Sequence, residues 1–286
     1  MQNQRPCSTA RGAVEIGGWA GQCAGMGIYA GIGGWTFAPW RGPFYPKGLP
    51  HARELEHASR QVTAIEINGT FYRTQTPASF RKWAEETPEN FVFAVKGHRF
   101  VTNRKVLAEA GPSVETFLGS GVTELGPKLG PINWQLAGTK RFDPDDIEAF
   151  LKLLPPERDG IRLRHTLEVR HESFVDPAFV ELARRYGVAI VLADSDEYPC
   201  IADPTADFVY ARLQRCRESE ATGYSGAELD IWAKRAKSWA EGGAPAEPAP
   251  VAGKPKKEKA RDVFMFFIAG EKVRAPAAAQ ALIERI

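Results

Sequence analysis

Polar residues able to share chemistry recur at one kind of place in this chain, the end of a short apolar run. Glu66 and Asn68 close TAIEIN, Lys96 closes FVFAVK, and Asn133 and Gln135 lie in PINWQL. Glu168 and Arg170 lie in TLEVR, Asp194 closes VAIVLAD, and Tyr210 and Arg212 lie in FVYARL. Arg170 and Arg212 offer planar forks that suit a carboxylate or a phosphate. Glu168 or Asp194 can act as general base, with a neighbouring carboxylate or His171 as the acid. Lys96 can stabilise negative charge, or serve as a Schiff-base amine if its pKa is depressed. Asn68 and Gln135 add amides, and Trp35, Trp40, Tyr45, Phe71 and Tyr72 can form an aromatic wall against which a base or sugar stacks.

A plainer account stands beside this one. Lys, Glu, Arg and Asp can form an internal ion-pair network that specifies the fold and binds nothing, where losing one partner costs about 3–5 kcal/mol. Many of the aromatic residues are equally suited to ordinary core packing. His98 and His171 could face Glu168 and Asp194, but the chain has 5 histidines and none recurs at a metal-binding helical spacing. No metal and no cofactor is expected.

These residues must be positioned by strands. Alternation of apolar and polar residues predicts strands at 28–33, 63–68, 91–97, 131–136, 166–170, 188–194, 208–213 and 263–269. Helices are predicted near 51–60, 77–86, 114–125, 144–154, 176–186, 226–241 and 275–285, with Pro77, Pro144 and Pro177 in first-turn positions. The connection at 195–204 is the weak link, with room for a short helix at most. Eight strands alternating with helices predict a single α/β domain over 27–286, a (β/α)8 TIM-type barrel. An open, doubly wound sheet is the alternative that strand count alone leaves. With the apolar neighbours facing the helices, Glu66, Asn68, Lys96, Asn133, Gln135, Glu168, Arg170, Asp194, Tyr210 and Arg212 all point into the barrel. They sit near strand C-terminal ends, where barrel enzymes place their chemistry.

Composition narrows the partners. With 37 basic and 35 acidic residues the net charge is +2, so no global basic field demands nucleic acid. The four cysteines (Cys7, Cys23, Cys200, Cys216) show no metal spacing and read as free thiols in the cytoplasm. No apolar run is long enough to span a membrane. Residues 1–26 are rich in Gly, Ala, Ser and Gln and read as a disordered or misassigned extension, with Met26 as a candidate start. Residues 242–262 combine GGAPAEPAPVAGKP with a basic run at Lys254, Lys256, Lys257, Lys259 and Arg261, and read as a flexible insertion.

Longer motifs carry a resemblance. GIGGW (31–35), WRGPFYP (40–46), EINGTFYR (66–73), WAEETPENFVFAVKGHR (83–99), LGPINWQL (129–136), LEVRH (167–171) and TADFVYARL (205–213) make the chain similar to the YecE-like domain-of-unknown-function family. That resemblance implies a TIM-type barrel and brings no settled reaction. The chain departs from the family pattern at Ile32-Gly33, where Thr-Ser is usual, and at Ala137-Gly138, where a proline pair is usual. It also has Phe267-Ile268-Ala269-Gly270 in place of terminal asparagines. One side of the mouth should therefore have lost polar groups. Two function classes follow: a barrel that binds a small anionic or phosphorylated ligand, with acid/base or hydrolytic chemistry, or a non-catalytic nucleic-acid or phospholigand module. The chain is read as a monomer.

Overall fold

Eight parallel strands close on themselves in chain order: β1 (Ile28–Gly33), β2 (Ala64–Ile67), β3 (Val92–Lys96), β4 (Leu129–Gln135), β5 (His165–Glu168), β6 (Ala189–Asp194), β7 (Phe208–Leu213) and β8 (Asp262–Phe267). This computed structural model describes residues 27–253 and 259–286. β1 pairs with both β2 and β8, which closes the barrel and excludes the open sheet. No helix among the described residues is long and apolar enough to cross a membrane.

The helices that wrap the barrel start where their sequences dictate. α3 (Pro77–Glu85), α6 (Pro144–Lys152) and α7 (Pro177–Arg185) each begin on a proline, whose missing N–H would have had no partner in the first turn. Thr76, Asp143 and Asp176 precede them and accept hydrogen bonds from the first free backbone amides. α8 (Gly226–Ala240) carries a capping box between Ser225 and Glu228, and α9 (Ala275–Ile283) follows β8. α1 (Glu54–Ala58) lies within the helix expected at 51–60, while two single turns between strands and helices were not expected: α2 (Gly69–Tyr72) and α4 (Arg99–Thr102). The helix expected at 114–125 is instead α5 (Gly111–Leu118) followed by a 3₁₀ segment, Val122–Lys128. Gly121 separates them with φ of 95°, and an added Cβ would lie 2.7 Å from Pro77.

Strand register decides which side chains enter the barrel, because partners in a parallel pair face the same side. Glu66 sits opposite Ala94, Lys96 opposite Asn133 and Gln135 opposite Glu168, while Tyr210 faces Val191 and Phe264. Arg212 pairs with Ala193, not Asp194. Asp194 is paired with Leu213 and so faces the helices, which corrects the expectation that it joins the interior cluster. In β6 the interior residues are Ala189, Val191 and Ala193, all apolar, so alternation within that strand carried no signal of its true face.

The insertion is less free than its composition suggests. Asp203, whose side chain is fully buried, accepts hydrogen bonds from the backbone amides of Val251 (2.6 Å) and Ala252 (3.0 Å) and pairs with Arg184 at 3.5 Å. Arg261 is also buried. Gly and Pro lower the intrinsic order of 242–253, but one buried acceptor fixes its backbone. Asp203→Ala is therefore expected to destabilise the protein by about 2 kcal/mol, because two partly buried amides lose a charged acceptor. A urea midpoint within error of wild type would show that the contact contributes nothing. Lys254, Lys256 and Lys257 of the basic run, and the whole extension at 1–26, lie outside the described residues.

Candidate functional site

At the C-terminal end of the barrel, five strands contribute to one buried polar cluster. Arg212 from β7 is at its centre, 2% exposed. Its Nη1 donates to Glu168 Oε2 at 2.6 Å and its Nη2 to Glu66 Oε1 at 3.0 Å. Tyr210, one alternation earlier on β7, donates its hydroxyl to Glu66 Oε2 at 2.5 Å. From β4, Asn133 Nδ2 donates to Glu168 Oε2 (3.1 Å) and Gln135 Nε2 to Glu168 Oε1 (2.8 Å). Arg170 reaches back over the strand end, with Nε and Nη2 at 3.2 and 3.1 Å from Glu168 Oε1.

Glu168 thus accepts five hydrogen bonds. Burial alone would raise its pKa, but Arg212, Arg170 and Lys96 together hold it down to about 2. A carboxylate so acidic and so fully occupied is a poor proton acceptor at neutral pH. Burial likewise opposes the charge on Arg212, and Glu168 and Glu66 more than offset it. Burial and the adjoining Glu66 push the Tyr210 phenol well up, so it acts as a donor. Among the described residues, two atoms in this layer find no partner: Asn133 Oδ1 and Arg212 Nε.

Lys96 is the exception among the charged groups. It is 7% exposed. Among the described residues its ammonium has no carboxylate within ion-pair distance and no hydrogen-bond acceptor, and it lies 4.5 Å from the centre of the Phe71 ring. Burial lowers its pKa to about 8; Arg212 and Arg170 add to that, while Glu66 and Glu168 oppose it. Above the cluster, Arg170 stacks its guanidinium on Tyr198, 4.3 Å from the ring centre, and keeps its side chain 23% exposed. Asn68 follows β2, and its Nδ2 and Ile268 occupy the space that a Cβ on Gly33 would need. The β1–β8 side of the mouth is correspondingly apolar.

The remaining expected residues separate. Asp194 accepts the Tyr224 hydroxyl at 2.7 Å and pairs with Arg215 at 3.0 Å; burial raises its pKa, against Tyr224 and Arg215. Trp35 meets Trp83 and Phe93 edge-on and belongs to the layer between strands and helices. Trp40 and Tyr45 are buried in that same layer, so the expected aromatic wall reduces to Phe71 beside Lys96 and the exposed Tyr72. His171 caps the turn Glu172–Phe174, accepting at Nδ1 from the Ser173 amide at 3.0 Å, with Nε2 3.2 Å from Arg141. Tyr198 was not anticipated. It comes from the irregular 195–204 connection, where no periodicity marks a side chain's direction. Among the described residues no group of three His, Cys, Asp or Glu side chains is placed to hold a metal ion.

The fold and this cluster define a (β/α)8 barrel with a charged, largely buried C-terminal mouth. The chain belongs to the family described as protein of unknown function DUF72, whose model matches residues 29–286. It is 29% identical over 150 residues to the UPF0759 protein YecE of Escherichia coli K12, and 31% identical over 159 residues to the UPF0759 protein YunF of Bacillus subtilis. These matches cover 51% and 54% of the chain, and the chain spans about half the length of the curated relatives it matches (50% and 54%). Among solved structures, a DUF72 family protein from Thermotoga maritima aligns with a TM-score of 0.69 at 21% identity, covering 90% of this chain and 98% of that one. A DUF72 family protein from Enterococcus faecalis aligns with a TM-score of 0.63 at 15% identity, covering 91% and 97%. At such identities the likeness shows the fold alone.

Proposed function

We propose that the barrel mouth binds a small anionic or phosphorylated ligand between Arg170 and Lys96, above a floor made by Glu66, Glu168, Tyr210 and Arg212. One observation carries this reading. Among the described residues the cluster holds three cations (Lys96, Arg170, Arg212) against two carboxylates (Glu66, Glu168), and the cation that finds no ion-pair partner there is the one at the strand end. An ammonium kept from water and from carboxylates gains most from an incoming anion. Glu168 has the role of fixing Arg170 and Gln135, not of taking a proton, so acid/base chemistry at this mouth would run through Lys96.

Binding should follow the protonation of Lys96, which faces Glu66, Glu168, Arg170 and Arg212. Affinity for sulfate, whose charge is constant over this range, is expected to hold below pH 8 and to fall as pH rises through about 8. Arg170→Met and Lys96→Met should each weaken it about tenfold or more, the loss of roughly one charged hydrogen bond. Thermal shift and calorimetry with phosphate, sulfate and small carboxylates test this. A wild-type protein whose melting temperature no such anion raises at millimolar concentration would end the proposal.

A second reading draws on the surface beside the mouth. Phe100 and Tyr72 are exposed, and Arg99, Asn103 and Arg104 line a hollow with Phe100. Exposed rings next to arginines suit stacked bases and phosphates. An oligonucleotide held there would dissociate steeply with added salt, whereas an anion inside the mouth would respond far less.

A further inference from the structure

Lys96 has the surroundings of a nucleophile more than those of a fixed charge. We infer that its ε-amine forms an imine with a small aldehyde or ketone carrying a carboxylate or phosphate, the anionic group being held by Arg170. The inference rests on the anion site proposed above and names the reactive part of its ligand.

Three features support it. Lys96 ends β3, so its side chain rises from a rigid strand into the mouth, and it retains a small opening to solvent. Among the described residues nothing ties the ammonium to an acceptor, and the neighbouring surface is the face of Phe71. A lysine meant for structure would end on a carboxylate or carbonyls, as Lys128 does on Ala84 and Thr87 and Lys140 on Asp146. The third feature is Asn133, paired with Lys96 in the strand register. Its Nδ2 is committed to Glu168, while its Oδ1 is buried with no donor among the described residues. An orphaned acceptor beside a free amine suits an intermediate that brings its own donor, and a carbinolamine hydroxyl is one.

The step balances without a further reagent. The neutral amine attacks the carbonyl carbon, the carbonyl π bond breaks, and a proton moves from nitrogen to oxygen to give the carbinolamine. The C–O bond then breaks, the second amine proton leaves with the hydroxyl as water, and the C=N bond forms. Its lowered pKa keeps an appreciable fraction of the amine neutral near pH 7.5, unlike exposed lysines. Tyr210 and Glu66 stay beneath as the fixed floor.

Borohydride trapping tests the inference. The full chain is incubated at pH 7.5 with glyoxylate, and separately with dihydroxyacetone phosphate, then reduced with sodium cyanoborohydride and mapped by peptide mass spectrometry. Label on Lys96 at least tenfold above any other lysine, suppressed by inorganic phosphate, is the expected result. The better of the two probes distinguishes a carboxylate from a phosphate handle. Lys96→Arg keeps the charge and should still bind phosphate while losing the label. The wild-type map decides by itself if that variant does not fold. Label spread over lysines according to exposure, with phosphate still raising the melting temperature, would overturn the imine and leave the anion site standing. No label and no phosphate effect would remove both.

Discussion

Arg212→Met is expected to destabilise the protein by about 3–5 kcal/mol, the usual cost of stranding buried charge. Met fills much of the same volume, so the loss is electrostatic. Glu66 and Glu168 both face the Arg212 guanidinium at 3.0 and 2.6 Å, and all three side chains are no more than 2% exposed. Glu168→Gln should cost less, since Glu66 remains as counter-charge. The origin can be read from pH. Glu168 titrates at about 2 in the folded protein, against roughly 4.3 for an unfolded glutamate. A depressed carboxylate contributes stability that is fully present above its unfolded pKa and is lost as pH falls through the folded one. The gap between wild type and Arg212→Met should therefore narrow between about pH 4.3 and pH 2. Denaturant midpoints across that range measure it. A constant gap would assign the loss to packing.

Gly31→Ala should be as damaging for a different reason. Gly31 lies on the interior face of β1 opposite Ala64 of β2 and Phe266 of β8. A Cβ there would fall 1.8 Å from the Ala64 carbonyl oxygen. The obstacle is backbone, so no side-chain rotation relieves it, and the strands must part where the barrel closes. The expected cost is about 3 kcal/mol or more, at or beyond the upper end of overpacking penalties. Gly138→Ala is the control, because nothing lies within 4 Å of its added Cβ. Equal melting temperatures for Gly31→Ala and Gly138→Ala would show that the closure tolerates a side chain.

Much of this architecture was legible from pattern. Strands read as apolar runs because both of their faces are buried, and prolines marked the starts of α3, α6 and α7. The interior cluster was visible because Glu66, Lys96, Glu168 and Arg212 interrupt apolar strands where a charge must find a partner. What pattern could not supply is direction at an ambiguous end. Asp194 closes a strand whose two faces are equally apolar, so one residue of register turned it from the barrel to the helices. Trp35, Trp40 and Tyr45 follow β1 in sequence but pack in the layer outside the barrel. Tyr198 lies on a connection with no period at all. The pairing of Glu168 with five donors was likewise beyond reach, since hydrogen-bond saturation depends on tertiary distances that no spacing encodes.

The placement of the indoles has a practical consequence. Six tryptophans lie among the described residues: Trp35, Trp40, Trp83, Trp134, Trp232 and Trp239. All are packed in the layer between strands and helices, outside the barrel wall. The mouth is ringed by Phe71, Tyr72 and Tyr198, which emit weakly or not at all when tryptophan is excited. Intrinsic emission from those six indoles will therefore follow unfolding of the outer layer while staying nearly silent to ligand arrival. A Tyr198→Trp variant would place a reporter against Arg170 and turn occupancy of the mouth into an optical signal.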